Sequence, residues 1–536
     1  MDVTADSARL AAIVRGIWAK DPSAWTDRAE HLADIPRWLG WLDSVPQMRQ
    51  RVGELTAFAD EVRKDGYTHA LLLGMGGSSL APEVLRLTYG VDPGYLDLYV
   101  LDSTDPAMVL EFQRSLPEGK TLYIVSTKSG STIETASFQR YFFEQVERAA
   151  RGAAGKSFVA ITDPGSSLEQ MAKELGFRRT FLNAEDIGGR FSALSYFGLV
   201  PAALLGVDLD GLLSCAELAM DTCSPETDID QNLGAQIGAM LAQYSAAGRD
   251  KVTLVNPAPF DSFGYWLEQL LAESTGKEGK GLVPIEGETL GRPEVYGDDR
   301  VFVSIGDGGA SAPPLFTLGQ QGHPVIRLPG NDPCDLGYLF FLCEFATAVA
   351  GALMGINAFD QPNVQESKDY TNQVLREFQS SGRLPVVSEV TSDANGASAV
   401  GELLASIRPG DYVALLAYVP HTADMEAALH EWRLSIRDHH KVATTVGFGP
   451  RFLHSTGQLH KGGGTNGIFL QLVSDDLEDA PIPGVPYSFG TLKQAQAIGD
   501  LQALEAHGRR VQRVRLTGDL AAAIRMLAVS TAPVPE

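Results

Sequence analysis

From about residue 66 onward, short runs of β-branched and apolar residues alternate with longer stretches of helical periodicity. THALLLGMG (68–76), LDLYVLD, TLYIVST, SFVAITD and RRTFLN predict strands. APEVLRLTYG, PAMVLEFQRSL and the residues after Thr132 predict the helices between them. Strands with few polar interruptions, separated by helices, predict a parallel sheet covered on both faces. The pattern restarts near Asp250, with strands at KVTLVNP, RVFVSIG and HPVIRLPG and helices at 262–274 and 335–357. After about residue 385 a third block follows. DYVALLAYVP, KVATTVGF, GIFLQLVSD and RRVQRVRL predict its strands, ADMEAALHEWRLSIRDH and TLKQAQAIGDLQALEAHG its helices. The expected segments are therefore 1–65, helical and holding Trp18, Trp25, Trp38 and Trp41, then 66–210, 211–384 and 385–536. The terminal APVPE reads as a frayed tail.

Composition narrows the class. A chain of 536 residues, 44% hydrophobic and 21% charged, fits a globular protein of two or three domains. The net charge of -24 argues against nucleic-acid and membrane-surface partners, while a local basic pocket still accepts a small anion. The four cysteines lack Cys-x-x-Cys spacing, which favours reduced core thiols and a cytoplasmic setting over disulfides or structural zinc. No basic region followed by an apolar core marks a secretory signal in MDVTADSARLAAIVRG. The apolar run Leu339 to Phe359 carries Glu344 and ends in GINAFDQ, so a buried helix is expected there rather than a membrane span.

Chemistry concentrates where strands end. In VSTKSGSTIET (125–135) a buried strand gives way to hydroxyls, Lys128 and Gly130 before a helix begins. Ligands of parallel sheets bind at the carboxyl ends of strands, and a first helical turn offers unpaired N–H groups to a phosphate. A helix capped by Ser131 or Thr132 explains one or two of these hydroxyls and leaves the rest unexplained. GMGGSSL (74–80) repeats the design after an earlier strand, without the Lys-Ser/Thr of a Walker loop or a clean GxGxxG spacing. DIGGRFSAL (186–194) sets Arg190 after two glycines, placed either to hold an anion or in a surface ion pair. INAFDQPNVQESK (356–368) puts a polar cluster and Lys368 after the buried helix, as an acid–base lysine or a surface one. LHSTGQLHKGGG (453–464) carries His454, Gln458, His460 and Lys461, with no acidic or cysteine partner at zinc spacing. A helix start with solvent-facing histidines is the alternative to a catalytic role there.

Taken together and in this order, the four motifs over residues 74–368 resemble the glucose-6-phosphate isomerase family. GGRFSALSYFG is similar to its GGRFS signature, with Tyr196 and Phe197 in place of smaller residues. GALMGINAFDQPNVQESK is similar to its second signature, with Asn363 where a small residue is usual. HSTGQLHKGG further resembles the isomerase half of a fused transaldolase/glucose-6-phosphate isomerase, and nothing resembles the transaldolase half. The resemblance implies two sugar-isomerase (SIS) three-layer αβα domains with parallel sheets, plus the C-terminal α/β block. It also implies a homodimer, no metal or organic cofactor, and glucose 6-phosphate/fructose 6-phosphate isomerisation through a cis-enediolate. Ser78, Thr127, Lys128, Ser129 and Thr132 would surround the substrate phosphate, and Arg190 would face the enediolate oxygens. Gln361 and Lys368 match the second signature, whose lysine assists ring opening; Gln458 would join the substrate contacts. The family's catalytic glutamate has no counterpart in its usual segments. The corresponding strand gives VSIGDGGASAPP, with Asp307, and HSTGQLHKGG has Gly462. Glu294 in GRPEVYGDD is left as the candidate base, and His454 or His460 as the ring-opening histidine, with Asn331 near its expected place. Mannose 6-phosphate or an amino sugar phosphate would suit the same loop, as would a non-catalytic sugar-phosphate sensor.

Overall fold

The computed structural model describes residues 3–150 and 152–531; the APVPE tail lies outside them. Three all-parallel sheets follow one another along the chain. The first contains β1 His69–Leu73, β2 Asp97–Leu101, β3 Thr121–Ser126, β4 Phe158–Thr162 and β5 Arg179–Leu182, in the order β2-β1-β3-β4-β5. The second contains β6 Lys251–Val255, β7 Val283–Ile285, β8 Arg300–Ile305 and β9 Val325–Leu328, in the order β7-β6-β8-β9. The third contains β10 Val390–Thr391, β11 Tyr412–Tyr418, β12 Ala443–Phe448, β13 Gly467–Val473 and β14 Arg510–Arg515. Its order, β12-β11-β13-β14-β10, repeats the arrangement of the other two around its first long strand. The strand order reverses beside β1, β6 and β11, so each sheet opens a crevice at the carboxyl ends of its central strands.

Residue type accounts for this layering. LLL of β1, the whole of β4 and all seven residues of β11 are buried, as strands covered on both faces require. β7 and β10 escape the sequence pattern because they contribute only three and two residues, β7 inside the Gly/Pro-rich KGLVPIEGE.

The N-terminal helices pack back over the middle of the chain. Trp18 Nε1 donates to the Cys223 carbonyl at 2.8 Å and Trp25 Nε1 to the Ala348 carbonyl at 2.9 Å. The third block is welded to the first sheet: Phe489, at the start of the helix Phe489–Ala506, stacks on Phe138 at 5.9 Å in a shared apolar cluster.

Asp335–Met354 is the one helix among the described residues that is long and apolar enough to cross a membrane, and it is buried inside the fold. Glu344 lies at its middle with neither carboxyl oxygen hydrogen-bonded. Burial pushes its pKa far above the usual carboxylate range. An acid with a raised folded-state pKa destabilises the fold increasingly as pH rises above the free carboxyl's value. Glu344→Gln is therefore expected to raise the unfolding midpoint more at pH 8 than at pH 5; equal shifts at both would contradict this reading.

Candidate active site

The site begins with two glycines that have no room for a side chain. Gly76 adopts φ +54°, and a Cβ there would lie 2.9 Å from both the His454 carbonyl oxygen and Gln269 Nε2. A Cβ on Gly77 would lie 2.0 Å from the Gly189 carbonyl oxygen. The glycine-rich turn after β1 is thus a packing knot that presses the Arg190 turn and the His454 turn together. Its serines are held in the knot: Ser126 Oγ donates to the Ser78 carbonyl at 3.1 Å, and Ser79 Oγ to the Gly76 carbonyl at 3.1 Å.

Beside it, the turn after β3 gathers hydroxyls in front of the helix Ile133–Ala150. Thr127 Oγ1 lies 3.1 Å from Thr132 Oγ1, and Ser129 Oγ lies 2.8 Å from Ser131 Oγ. Gly130, at φ +71°, leaves no space for a Cβ, which would meet the Leu168 nitrogen at 2.5 Å. Hydroxyls that satisfy one another in pairs rotate outward to an incoming anion at small cost, next to the first-turn amides of the helix. Lys128, expected beside the substrate phosphate, is engaged by the protein itself. Its ammonium is ion-paired with Asp163, donates to the Glu185 carbonyl at 2.7 Å and lies 5.6 Å from the Trp38 ring centre.

Arg190 is buried, which removes the surface ion-pair alternative. Its Nε donates to Ser274 Oγ at 2.8 Å, Nη1 to Gln361 Oε1 at 2.5 Å, and Nη2 to the Ala358 and Asp360 carbonyls at 2.7 and 3.0 Å. Glu273 Oε1 stands 3.7 Å from Nη1, and its other oxygen accepts from Gln269 Nε2 at 3.0 Å. Lys277 supports the same loop, donating to the Asn357 carbonyl at 2.5 Å and ion-paired with Asp360 Oδ1 at 2.8 Å. Burial, with Arg190 nearby, lowers its pKa to about 7. Residues 357–361 are thus shaped by two buried basic groups, Arg190 and Lys277, that hold their carbonyls.

The third sheet completes the cluster. The turn after β12, Arg451–His454, sends His454 across to the first sheet, where its Nε2 lies 2.8 Å from Glu134 Oε1. Gln496 Nε2, from the helix Phe489–Ala506, donates to the same oxygen at 2.7 Å. Thr104 Oγ1 donates to Gln496 Oε1 at 2.7 Å, which fixes the amide so that its NH2 faces Glu134. Burial disfavours the charged Glu134, but the His454 imidazole and Lys368 outweigh it and hold the carboxyl below the usual range. Lys368, on the helix Pro362–Ser381, lines one cavity with Ser131, Glu134, His454 and Gln496.

Lys368 and His454 therefore line one cavity with Ser131 of the hydroxyl loop, while Arg190 and Gln361 hydrogen-bond to each other in the buried cluster with Ser274 and Glu273. Other candidates fall elsewhere. Glu294 is exposed on the turn Pro293–Val295 before β8 and takes no part in the cluster. Asp307 accepts from the Gly309 N–H at 2.7 Å and shapes a turn. His460 is not solvent-facing: it is buried among Tyr412, Phe452 and Phe469, where burial drives its pKa well below the ordinary value. Gln458 is fully buried and spent: Nε2 donates to the Gly276 carbonyl at 3.0 Å and to Asn363 Oδ1 at 2.8 Å, while Oε1 accepts from the Asn363 N–H at 2.9 Å. These bonds clamp the start of the helix Pro362–Ser381.

Sequence reasoning passed over Glu134, Glu273 and Gln496. Glu134 stood inside the quoted STKSGSTIET run, and the hydroxyls before it drew the attention. The other two sit in helical patterns without a motif.

A hydroxyl-lined anion loop beside a buried carboxylate, imidazole and guanidinium is the equipment of an enzyme that moves protons on a small anionic substrate. Comparison with known proteins makes this specific. Residues 39–291 match the phosphoglucose isomerase family model. The glucose-6-phosphate isomerase of Rubrobacter xylanophilus is 30% identical, covering 69% of this chain and 97% of its own. That of Thermosynechococcus vestitus is 30% identical, covering 66% and 73%. Among solved structures, a hypothetical protein from Thermus thermophilus superposes with a TM-score of 0.60 at 24% identity, covering 69% of this chain and 96% of that one. A glucose-6-phosphate isomerase from Chlamydia trachomatis does so at 0.53 and 20% identity, covering 69% and 78%. The chain belongs to the phosphoglucose isomerase family.

Because Gln458 is saturated by the protein itself, Gln458→Ala leaves the Asn363 N–H and the Gly276 carbonyl unpaired. A stability loss of about 1–3 kcal/mol is expected, with KM for substrate unchanged in enzyme that remains folded. A raised KM at unchanged stability would return Gln458 to the substrate contacts.

Proposed function

We propose that this protein interconverts glucose 6-phosphate and fructose 6-phosphate through a cis-enediolate. The observation that carries the proposal is the His454–Glu134 pair, set beside Lys368 and immediately behind the hydroxyl loop. The phosphate binds Thr127, Ser129, Ser131 and Thr132 and the first-turn amides, while Ser78 and Lys128 contribute backbone and support. Remote phosphate binding then fixes the reacting carbons against the acid–base groups.

Ring opening needs one proton delivered to the ring oxygen and one taken from the anomeric hydroxyl. With Nε2–H of His454 donated to Glu134, Nδ1 is the nitrogen left to trade a proton with the sugar. Lys368 supplies a second proton-bearing group in the same cavity. The Glu134 carboxylate keeps the imidazole in this tautomer and stabilises it when charged, and Gln496 holds that carboxylate in place.

For transfer between C2 and C1, a single base must reach both carbons. Glu273 fits: one oxygen is held by Gln269, and the other is directed toward Arg190. Arg190, buried and rigidly held, stabilises charge on the enediolate oxygens. The family likeness supports a cytoplasmic homodimer, although every group named here comes from one chain.

Purified protein given fructose 6-phosphate, with glucose 6-phosphate read by a coupled assay, is expected to turn over without added cofactor. A folded sample that binds 6-phosphogluconate without turnover would favour a sensor, and faster turnover of mannose 6-phosphate would reassign the substrate.

Within that reaction, Glu273→Gln is expected to lower kcat on cyclic and open-chain substrates alike by about 10²–10⁴. His454→Ala and Lys368→Ala are expected to spare an open-chain analogue. A Glu273→Gln enzyme that retained wild-type kcat would remove Glu273 as the base.

The Glu134–His454 pair also sets a pH dependence. A depressed carboxyl pKa means the carboxylate that accepts from His454 persists above that value and is lost as pH falls through it. Gln496→Leu removes a donor that favours the ionised carboxylate, so the acid limb of kcat should move to higher pH. An unmoved limb would contradict the positioning role of Gln496.

A further inference from the structure

Two of the four cysteines form a pair that the isomerisation does not use. Cys215, on the helix Leu209–Thr222, and Cys334, the cap residue before Asp335–Met354, are half-buried, with their sulfurs 3.1 Å apart. They are not the core thiols expected from composition.

Packing holds the pair in place from both sides. A Cβ on Gly337 would lie 1.9 Å from the Leu212 carbonyl oxygen, so the two helices meet backbone to backbone next to the thiols. The segment before Cys334 is pinned as well: Tyr89 Oη donates to the Pro333 carbonyl at 2.8 Å, and the Cys334 N–H donates to Asp332 Oδ1 at 3.0 Å.

Cys215, Cys334 and Asp335 bring their ligand atoms within 4.8 Å of one another, which raises the question of a metal. Two thiolates at about 2.3 Å from a tetrahedral zinc stand further apart than these two sulfurs. Asp335 Oδ2 is already taken by the Asn331 and Asp332 N–H groups at 2.8 and 3.0 Å. A disulfide of about 2.05 Å needs only a further approach of about 1 Å, within reach of side-chain torsions.

We propose that Cys215 and Cys334 are a reversible disulfide site, closed by exchange with a small-molecule disulfide such as oxidised glutathione. The Cys215 thiolate attacks the glutathione disulfide, breaks its S–S bond and releases one glutathione thiolate. The Cys334 sulfur then loses its proton, attacks the mixed disulfide at the Cys215 sulfur and releases the second glutathione. Two protein thiols are oxidised, and one small disulfide is reduced to two thiols. The order of attack follows from the surroundings: burial and the neighbouring Cys215 push the Cys334 thiol up to about 12, so it is the resolving partner. Cys223 and Cys343 do not compete, since each is buried and its thiol is likewise pushed up. The closed bond staples the helix Leu209–Thr222 to the start of Asp335–Met354, whose far end runs into the loop around Arg190.

The full chain is incubated with oxidised glutathione under native conditions, then examined by intact mass, peptide mapping and thermal unfolding. The expected result is a species lighter by two hydrogens, a cross-linked peptide pair containing Cys215 and Cys334, and a higher unfolding midpoint that dithiothreitol reverses. Cys215→Ser is expected to abolish both changes, and Cys334→Ser to stop at a stable glutathione adduct on Cys215. Unmodified wild-type protein, stable adducts on both thiols without a cross-link, or retention of one equivalent of zinc by these residues would each overturn the proposal.

Discussion

Glu134 is a carboxylate buried at the start of a helix, and a buried charge must be paired. Its partners come from the other end of the chain: His454 is 320 residues away and Gln496 is 362. Meeting that requirement sets the position of the third sheet. The turn after β12 must reach over the first sheet, and the helix Phe489–Ala506 must dock on the helix Ile133–Ala150, where Phe489 stacks on Phe138. The apolar cluster shared by Leu71, Leu73, Val125, Phe138, Phe489 and Leu492 provides the hydrophobic drive for that docking. Gly76 makes it sterically feasible, because any larger residue there would meet His454.

The same knot brings in the second sheet. Gln269 touches both the His454 carbonyl and Glu273, and Glu273 stands beside Arg190 on its glycine-flanked turn. The proposed acid, base and electrophilic groups are therefore spaced by backbone packing between glycines rather than by long flexible side chains. The buried basic groups of Arg190 and Lys277 are held by carbonyls of one loop, so their positions do not have to be organised during reaction. The third block thus contributes His454 and Gln496 to the candidate site.

Much of this was legible in the residues themselves. Buried runs such as THALLLGMG and TLYIVST gave strands, and the polar turns after them marked the hydroxyl-rich loop at the strand ends. Arg190, Gln361 and Lys368 were visible as polar groups at ends of apolar elements. The pairing of Glu134 with His454 was not, since nothing local distinguishes one carboxylate from another until the chain closes on it. Glu273 sits in LEQLLAES, where a buried acid looks like the polar edge of an amphipathic helix. Gln458 has a setting that reads as chemical, and its three hydrogen bonds within the protein were not visible until the chain closed on it. Glu294 drew notice for want of a better-placed glutamate.

The claim at the centre of this account is that protein groups from all three sheets move a proton between C2 and C1 of a sugar phosphate. Incubating the enzyme with fructose 6-phosphate in D2O, and following the sugar by proton NMR, tests it most directly. The account predicts deuterium at C2 of the glucose 6-phosphate formed and at one of the two C1 positions of the remaining fructose 6-phosphate. Sugar that stays unlabelled and unconverted in the presence of folded, ligand-binding protein would contradict it.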